Sequence, residues 1–229
     1  MRDMNEGRHP CRRKSKSGHP WPHFSMTALL CWIALCCTTL GAQAQDSGLL
    51  QQILDELGGH TSVRAAFTQS RENPALAQPQ VSRGQLLFVV GRGMLWQVDE
   101  PFRETLALTG GRTARVDEQG HAQPVRGGDR GVAQVSQMLQ SMLSGKPEDA
   151  LRQFDVQAEG STARWTLHFT PRQERMARVL RRIDLDGDRF LQGIRVELQG
   201  GESTQIRFAD TRDAGELSPL EKRALGMPP

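Results

Sequence analysis

The sequence predicts a mainly antiparallel β-sheet, apolar on one face, with a few amphipathic helices laid against it. Three observations carry that expectation. Several stretches alternate apolar and polar residues with the period of two that belongs to a half-buried strand. The 23 Gly and 12 Pro are spread through all 229 residues, as a fold of many turns and short elements requires. Long stretches with helical spacing are few, which argues against a helical bundle.

The first segment reads as an address. Residues 1–23 carry Arg2, Arg8, Arg12, Arg13, Lys14 and Lys16 against only Asp3 and Glu6, and a run without charge follows from Phe24 to Leu40. Ala42-Gln43-Ala44 then supplies the small-x-small pattern that a signal peptidase accepts, so cleavage is expected after Ala44. An uncleaved anchor is the alternative, but the run is shorter than the ~20 residues a membrane span needs and is diluted by Thr27, Thr38 and Thr39. Residues 1–44 are thus expected to be a signal peptide and 45–229 a single domain, exported to the periplasm.

Cleavage changes what the chain can do. Six of the 29 basic and two of the 26 acidic residues lie in the presequence, leaving 23 against 24, a net charge of −1. The electrostatic case for nucleic acid disappears with them. All four cysteines (Cys11, Cys31, Cys36 and Cys37) go too, which leaves no disulfide, thiol nucleophile or thiolate metal site.

Asp46 precedes Leu49, Leu50, Ile53, Leu54 and Leu57, an i, i+3, i+4, i+7 stripe closed by Gly58-Gly59, so a helix with Asp46 as N-cap is expected. From Val63 to Arg71, Val63, Ala65 and Phe67 alternate with Arg64 and Thr68 as in a strand. Leu86 to Val90 is apolar on both faces, and beyond the Gly91-Arg92-Gly93 turn Met94, Trp96 and Val98 face away from Gln97 and Asp99. Arg103–Leu108 and Thr113–Asp117 are expected as strands joined at Gly110-Gly111.

A second helix is expected from about Val132 to Leu143, with Val132, Val135, Met138, Leu139, Met142 and Leu143 on its apolar side, Gln134, Gln137, Gln140 and Ser141 opposite, and Gly145 and Pro147 as its stop. The clearest alternations come next. Trp165, Leu167 and Phe169 oppose Arg164, Thr166 and His168; Ile194, Val196 and Leu198 oppose Arg195 and Glu197; Ile206 and Phe208 oppose Gln205 and Arg207. Ser218-Pro219-Leu220-Glu221 is a capping box with Pro at the first helical position, so a short last helix is expected.

Eight to eleven such strands make a sheet with one apolar face, which must curl on itself or be covered. Two amphipathic helices and a short tail are a thin cover. The pattern alone leaves two outcomes open: a fully packed sheet-and-helix core, or a ligand cavity.

Chemistry motifs are mostly absent. His60, His121 and His168 show no metal-ligand spacing and are expected to be solvated. No G-x-S-x-G or H-E-x-x-H occurs. Asp184, Asp186 and Asp188 around Gly187 lack the completion of a calcium loop and read as a turn between strands. Arg175, Arg178, Arg181 and Arg182 form a basic run suited either to an anionic headgroup or simply to a solvated face. No cofactor, metal site or enzymatic activity is expected. A carrier of apolar chains and a periplasmic lipid-sensing or lipid-processing protein are the two remaining classes, and the missing nucleophile favours the carrier.

Phe67-Thr68-Gln69, Gly84-Gln85-Leu86, Trp96-Gln97-Val98-Asp99-Glu100-Pro101 and Ile183-Asp184-Leu185-Asp186-Gly187, in that order and spacing, resemble the LolA family of periplasmic lipoprotein carriers over about residues 46–225. The resemblance implies an open, curved antiparallel half-barrel lidded by helices. Its hydrophobic cavity would hold acyl chains of lipoprotein or a related lipid in transit from an inner-membrane exporter to an outer-membrane acceptor, with the protein acting as a monomer and without nucleic acid. The expected lining is Leu86, Phe88, Val90, Met94, Trp96, Val98, Leu106, Leu139, Trp165, Leu167, Phe169, Ile194, Val196 and Phe208. In that family an Arg-Pro pair whose Arg helps keep the lid closed falls, by spacing, on Val90-Gly91, and Arg92 is the nearest candidate for the latch. An aromatic cluster expected after the next strand is replaced by Thr113-Ala114-Arg115-Val116.

Overall fold

The structure, a computed structural model, describes residues 41–110, 112–125, 138, 140–141 and 147–228, with the backbone alone at 41–46, 147 and 149. Helix α1 (Gly41–Gly58) leads into strands β1 (Ser62–Glu72), β2 (Gln80–Val89), β3 (Gly93–Glu100), β4 (Glu104–Thr109), β5 (Arg112–Val116) and β6 (Ala122–Pro124). Helix α2 (Pro147–Gln153) opens the second half, followed by β7 (Phe154–Ser161), β8 (Arg164–Pro171), the one-turn α3 (Glu174–Ala177), β9 (Leu180–Gly187), β10 (Leu191–Leu198), β11 (Ser203–Asp213) and α4 (Pro219–Ala224).

The eleven strands among the described residues form one antiparallel sheet in the order β6-β5-β4-β3-β2-β1-β11-β10-β9-β8-β7. It is open: β6 and β7 are its edges. Each half is a meander of hairpins, and the long-range pairing of β1 with β11 joins them. A sheet this wide curls rather than lying flat, and register shifts that place an extra residue on β11, opposite Arg64–Ala66 of β1, and on β3, opposite Arg83–Gly84 of β2, add local bend near its centre.

The one-sided strands bury what their alternation predicts. Ala65 and Phe67, Trp165, Leu167 and Phe169, Ile183 and Leu185, Ile194, Ile206 and Phe208 meet Ile53, Leu54 and Leu57 of α1 in the main core. The stripe expected of α1 thus lies on the sheet. Its start is corrected, however: the helix begins at Gly41, so Asp46 lies inside it and is not its N-cap.

One further expectation is corrected, and one position gains a second role. Pro147 begins α2, where a proline lacks only an N–H that the first helical turn would leave unpaired; the stop expected at Gly145 and Pro147 for the preceding helix falls where 142–146 lie outside the described residues. The strands β2 to β4 are not wet on one side. Leu87, Val89, Leu95 and Ala107 form a second core on the opposite face, covered by Ala224 and Leu225. The two-sided run from Leu86 to Val90 announces that second core, and the tail that covers it is too short to show the match. Most of the helix expected over Val132–Leu143 lies outside the described residues, as does Gly111, although Met138, Gln140 and Ser141 are helical.

Candidate functional site

The apolar face of the sheet is graded. On the wing built by β8 to β11, Trp165, Leu167, Phe169 and Ile194 are almost completely buried, with Phe208 beside them. Phe154 meets Phe169 edge-on at 6.0 Å. Trp165 donates its indole N–H to the Asp188 carbonyl, and the ring packs so closely over Gly187 that a Cβ there would lie 2.5 Å from it. On the other wing Phe88, Met94 and Trp96 are buried, but Leu86, Val90, Val98 and Leu106 are only half-buried. Leu86, Trp96 and Leu106 form one cross-strand row, and Trp96 stacks on Phe67 with ring centroids 3.7 Å apart. The structure therefore puts Leu86, Phe88, Val90, Met94, Trp96, Val98, Leu106, Trp165, Leu167, Phe169, Ile194, Val196 and Phe208 on one apolar cluster. Leu139 lies outside the described residues.

Two polar side chains on this face escaped sequence reasoning. Gln69 follows Phe67 by two along β1 and so shares its face, and its Oε1 is buried without a hydrogen-bond partner. Gln140, on the helical segment whose Met138 enters the core, bridges the β2–β3 turn: Gly91 N–H donates to its Oε1 at 3.0 Å and its Nε2 donates to the Val89 carbonyl at 3.2 Å. Spacing places Gln140 on the wet side of its helix, and nothing in the pattern distinguishes it from its neighbours Gln137 and Gln134. Arg92 is exposed, and among the described residues it joins this turn through its backbone N–H, which donates to the Val89 carbonyl.

The histidines divide. His121 is exposed beside Asp117, whose carboxyl is held below the usual range chiefly by the His121 backbone N–H. His168 is three-quarters covered and lies 2.6 Å from Asp184. His60, expected at the surface, is buried: Nδ1 lies 2.7 Å from Asp213 and its ring is 4.3 Å from that of Phe190. A polar cleft of about 580 Å³ opens beside it, lined by Asp55, Glu56, Thr61, Ser62, Arg189 and Asp213. The acidic trio is dispersed over different partners. Asp184 faces His168, Asp186 takes Arg207 at 2.6 Å, and Asp188 accepts the Phe190 N–H, which lowers its pKa and closes the β9–β10 turn. Among the described residues no group of three or more His, Cys, Asp or Glu is arranged to hold a metal.

Residues 41–218 match the model of the family described as outer membrane lipoprotein carrier protein LolA-like, well over half of the chain. The chain belongs to this family. Solved structures similar to this LolA-like chain include a LolA superfamily protein from Nitrosomonas europaea (11% identity, 76% of this chain and 97% of that one, TM-score 0.42). Also similar are MucB in the Pseudomonas aeruginosa MucA/MucB complex (13%, 74% and 59%, 0.42) and the lipoprotein LppX from Mycobacterium tuberculosis (12%, 76% and 100%, 0.37). No curated protein matches.

Proposed function

We propose that this LolA-like chain is a non-enzymatic periplasmic carrier. Exported and cleaved after Ala44, it would take acyl chains of lipoprotein or a related lipid on the apolar face and pass them from an inner-membrane donor to an outer-membrane acceptor. The observation that carries the reading is that Leu86, Val90, Val98 and Leu106 are only half-buried, because apolar side chains left partly uncovered on the core face of a sheet are a ready surface for an acyl chain. Each methylene that leaves water contributes ~0.8 kcal/mol, so a single fatty chain supplies most of the affinity and release needs an apolar receiver. The buried Gln69 Oε1 offers an acceptor to an N–H or O–H at the polar end of the cargo.

Mass spectrometry of organic extracts from protein purified out of its own periplasm tests this. Acylated species bound at near-stoichiometric amounts, and lost in Leu106→Glu, are the expected result. Leu106 suits that variant because it is half-buried, whereas Leu167 is fully enclosed and a glutamate there would break the fold. Extracts free of lipid, together with unchanged fatty-acid binding by Leu106→Glu, would overturn the reading.

A further inference from the structure

We infer that one edge of the sheet, centred on the β8–β9 turn, docks on an anionic lipid bilayer. The turn runs from Arg172 to Leu180 and is held as a platform: the Gln199 backbone N–H donates to the Val179 carbonyl at 2.9 Å, its side-chain amide donates to the Ala177 carbonyl at 2.8 Å, and Leu180 is buried beneath. On that fixed backbone Val179 is held 61% exposed. Arg175, Arg178 and Arg181 surround it, all exposed. Arg178 has only a 3.9 Å contact to an exposed Glu174, and no carboxylate among the described residues pairs with Arg175 or Arg181. The neighbouring Arg172 and Arg182 are tied to Asp155 and Asp184. An exposed apolar side chain flanked in sequence by exposed guanidinium groups, two of them without a carboxylate partner among the described residues, matches the boundary between lipid headgroups and acyl chains.

Register extends the surface. Glu72 pairs with Ser203, Arg83 with Glu100, and Leu198 with Leu180, so the β1–β2, β3–β4, β8–β9 and β10–β11 connections share one edge of the sheet. Phe102, 82% exposed, and Leu76, 45% exposed, are carried on the first two of these connections. Apolar tips on three separate connections of one edge suit an extended surface better than a pocket. The inference stands on this edge alone and does not require that the apolar face carry acyl cargo.

Co-sedimentation of the purified protein with phosphatidylglycerol-containing vesicles, and with phosphatidylcholine vesicles for comparison, tests it. Binding is expected only to the anionic vesicles and is expected to weaken with added salt. Each Arg→Gln change at 175, 178 or 181 should weaken it about fivefold, the equivalent of ~1 kcal/mol per basic side chain near such a surface. Val179→Asp should weaken it further, while circular dichroism stays unchanged because the side chain is mostly exposed. In V179W the added indole should be quenched by brominated anionic lipid. Equal sedimentation of wild type, Val179→Asp and the triple Arg→Gln variant, or an unquenched V179W indole, would overturn the inference and leave the turn to an acidic protein partner.

Discussion

At the scale of single residues, several positions have shapes that only the fold explains. Gly84 lies opposite the bulge at Asp99 of β3, paired with Phe67 on one side and Val98 on the other, and a Cβ there would stand 1.8 Å from the Gln97 carbonyl oxygen. The obstacle is backbone, so it cannot swing aside. Gly84→Ala is expected to lower stability by at least ~1 to 3 kcal/mol, read as a fall in the denaturant midpoint; an unchanged midpoint would mean that the bulge yields freely. The sequence shows Gly84 beside an apolar run but not the bulge that makes it necessary, because a register shift leaves no trace in a period of two. Trp165 is the opposite case. Alternation alone puts it on the core face, where the structure finds it. The burial of His60 is not legible in the sequence, because its partners, Asp213 and Phe190, are more than a hundred residues away and meet it only when β11 and the β9–β10 turn close around the end of α1.

At the scale of elements, the C-terminal segment shows how local and long-range signals divide. The capping box of α4 is legible in the sequence and is present: Glu221 N–H donates to Ser218 Oγ while Ser218 N–H donates to the Glu221 carboxylate. What anchors the helix is not legible. Arg64 on β1 grips the same carboxylate with two nitrogens, at 2.5 and 2.9 Å, and this fork holds the tail over Leu87, Val89 and Leu95. The Arg64 guanidinium, assisted by Ser218, holds the Glu221 pKa down to about 2. A carboxylate depressed in the folded state stabilises above its unfolded pKa, and that stabilisation is lost as pH falls from about 4.5 toward about 2. Because the pair is partly open to water, the loss is expected to be roughly 1 to 2 kcal/mol rather than the full equivalent of the shift. Acid titration of chemical denaturation checks it: Glu221→Gln should start less stable and flatten the curve in that window, and a parallel curve would place the acid sensitivity elsewhere.

At the scale of the whole molecule, the helical residue Gln140 is joined to the sheet at the position where the family's charged latch is expected, and the chemistry of the joint is reversed. Position 90 carries an apolar valine packed against the core and not a charged side chain; Gln140 reaches in, to the Val89 carbonyl and the Gly91 N–H. A proline at 91 would remove that donor, and Gly91 also takes a positive φ of 72° that proline cannot adopt. Neutral hydrogen bonds contribute about 1 kcal/mol each against roughly 1.5 to 3 for charge-assisted ones, so this joint opens more readily than a charged one. A carrier must hold triacylated protein strongly enough to withdraw it from an exporter. The chain is therefore expected to fail to replace the housekeeping lipoprotein carrier in a depleted cell, to accept no lipoprotein from the exporter in a transfer assay, and to hold a smaller or stiffer apolar cargo instead. Gln140→Leu should speed exchange of a bound fluorescent fatty acid several-fold, while Arg92→Leu should leave it unchanged, because the Arg92 side chain has no part in the joint. Efficient transfer by the wild type, abolished by Gln140→Leu, would show that two neutral bonds latch well enough for ordinary lipoprotein; abolition by Arg92→Leu instead would return the latch to the arginine.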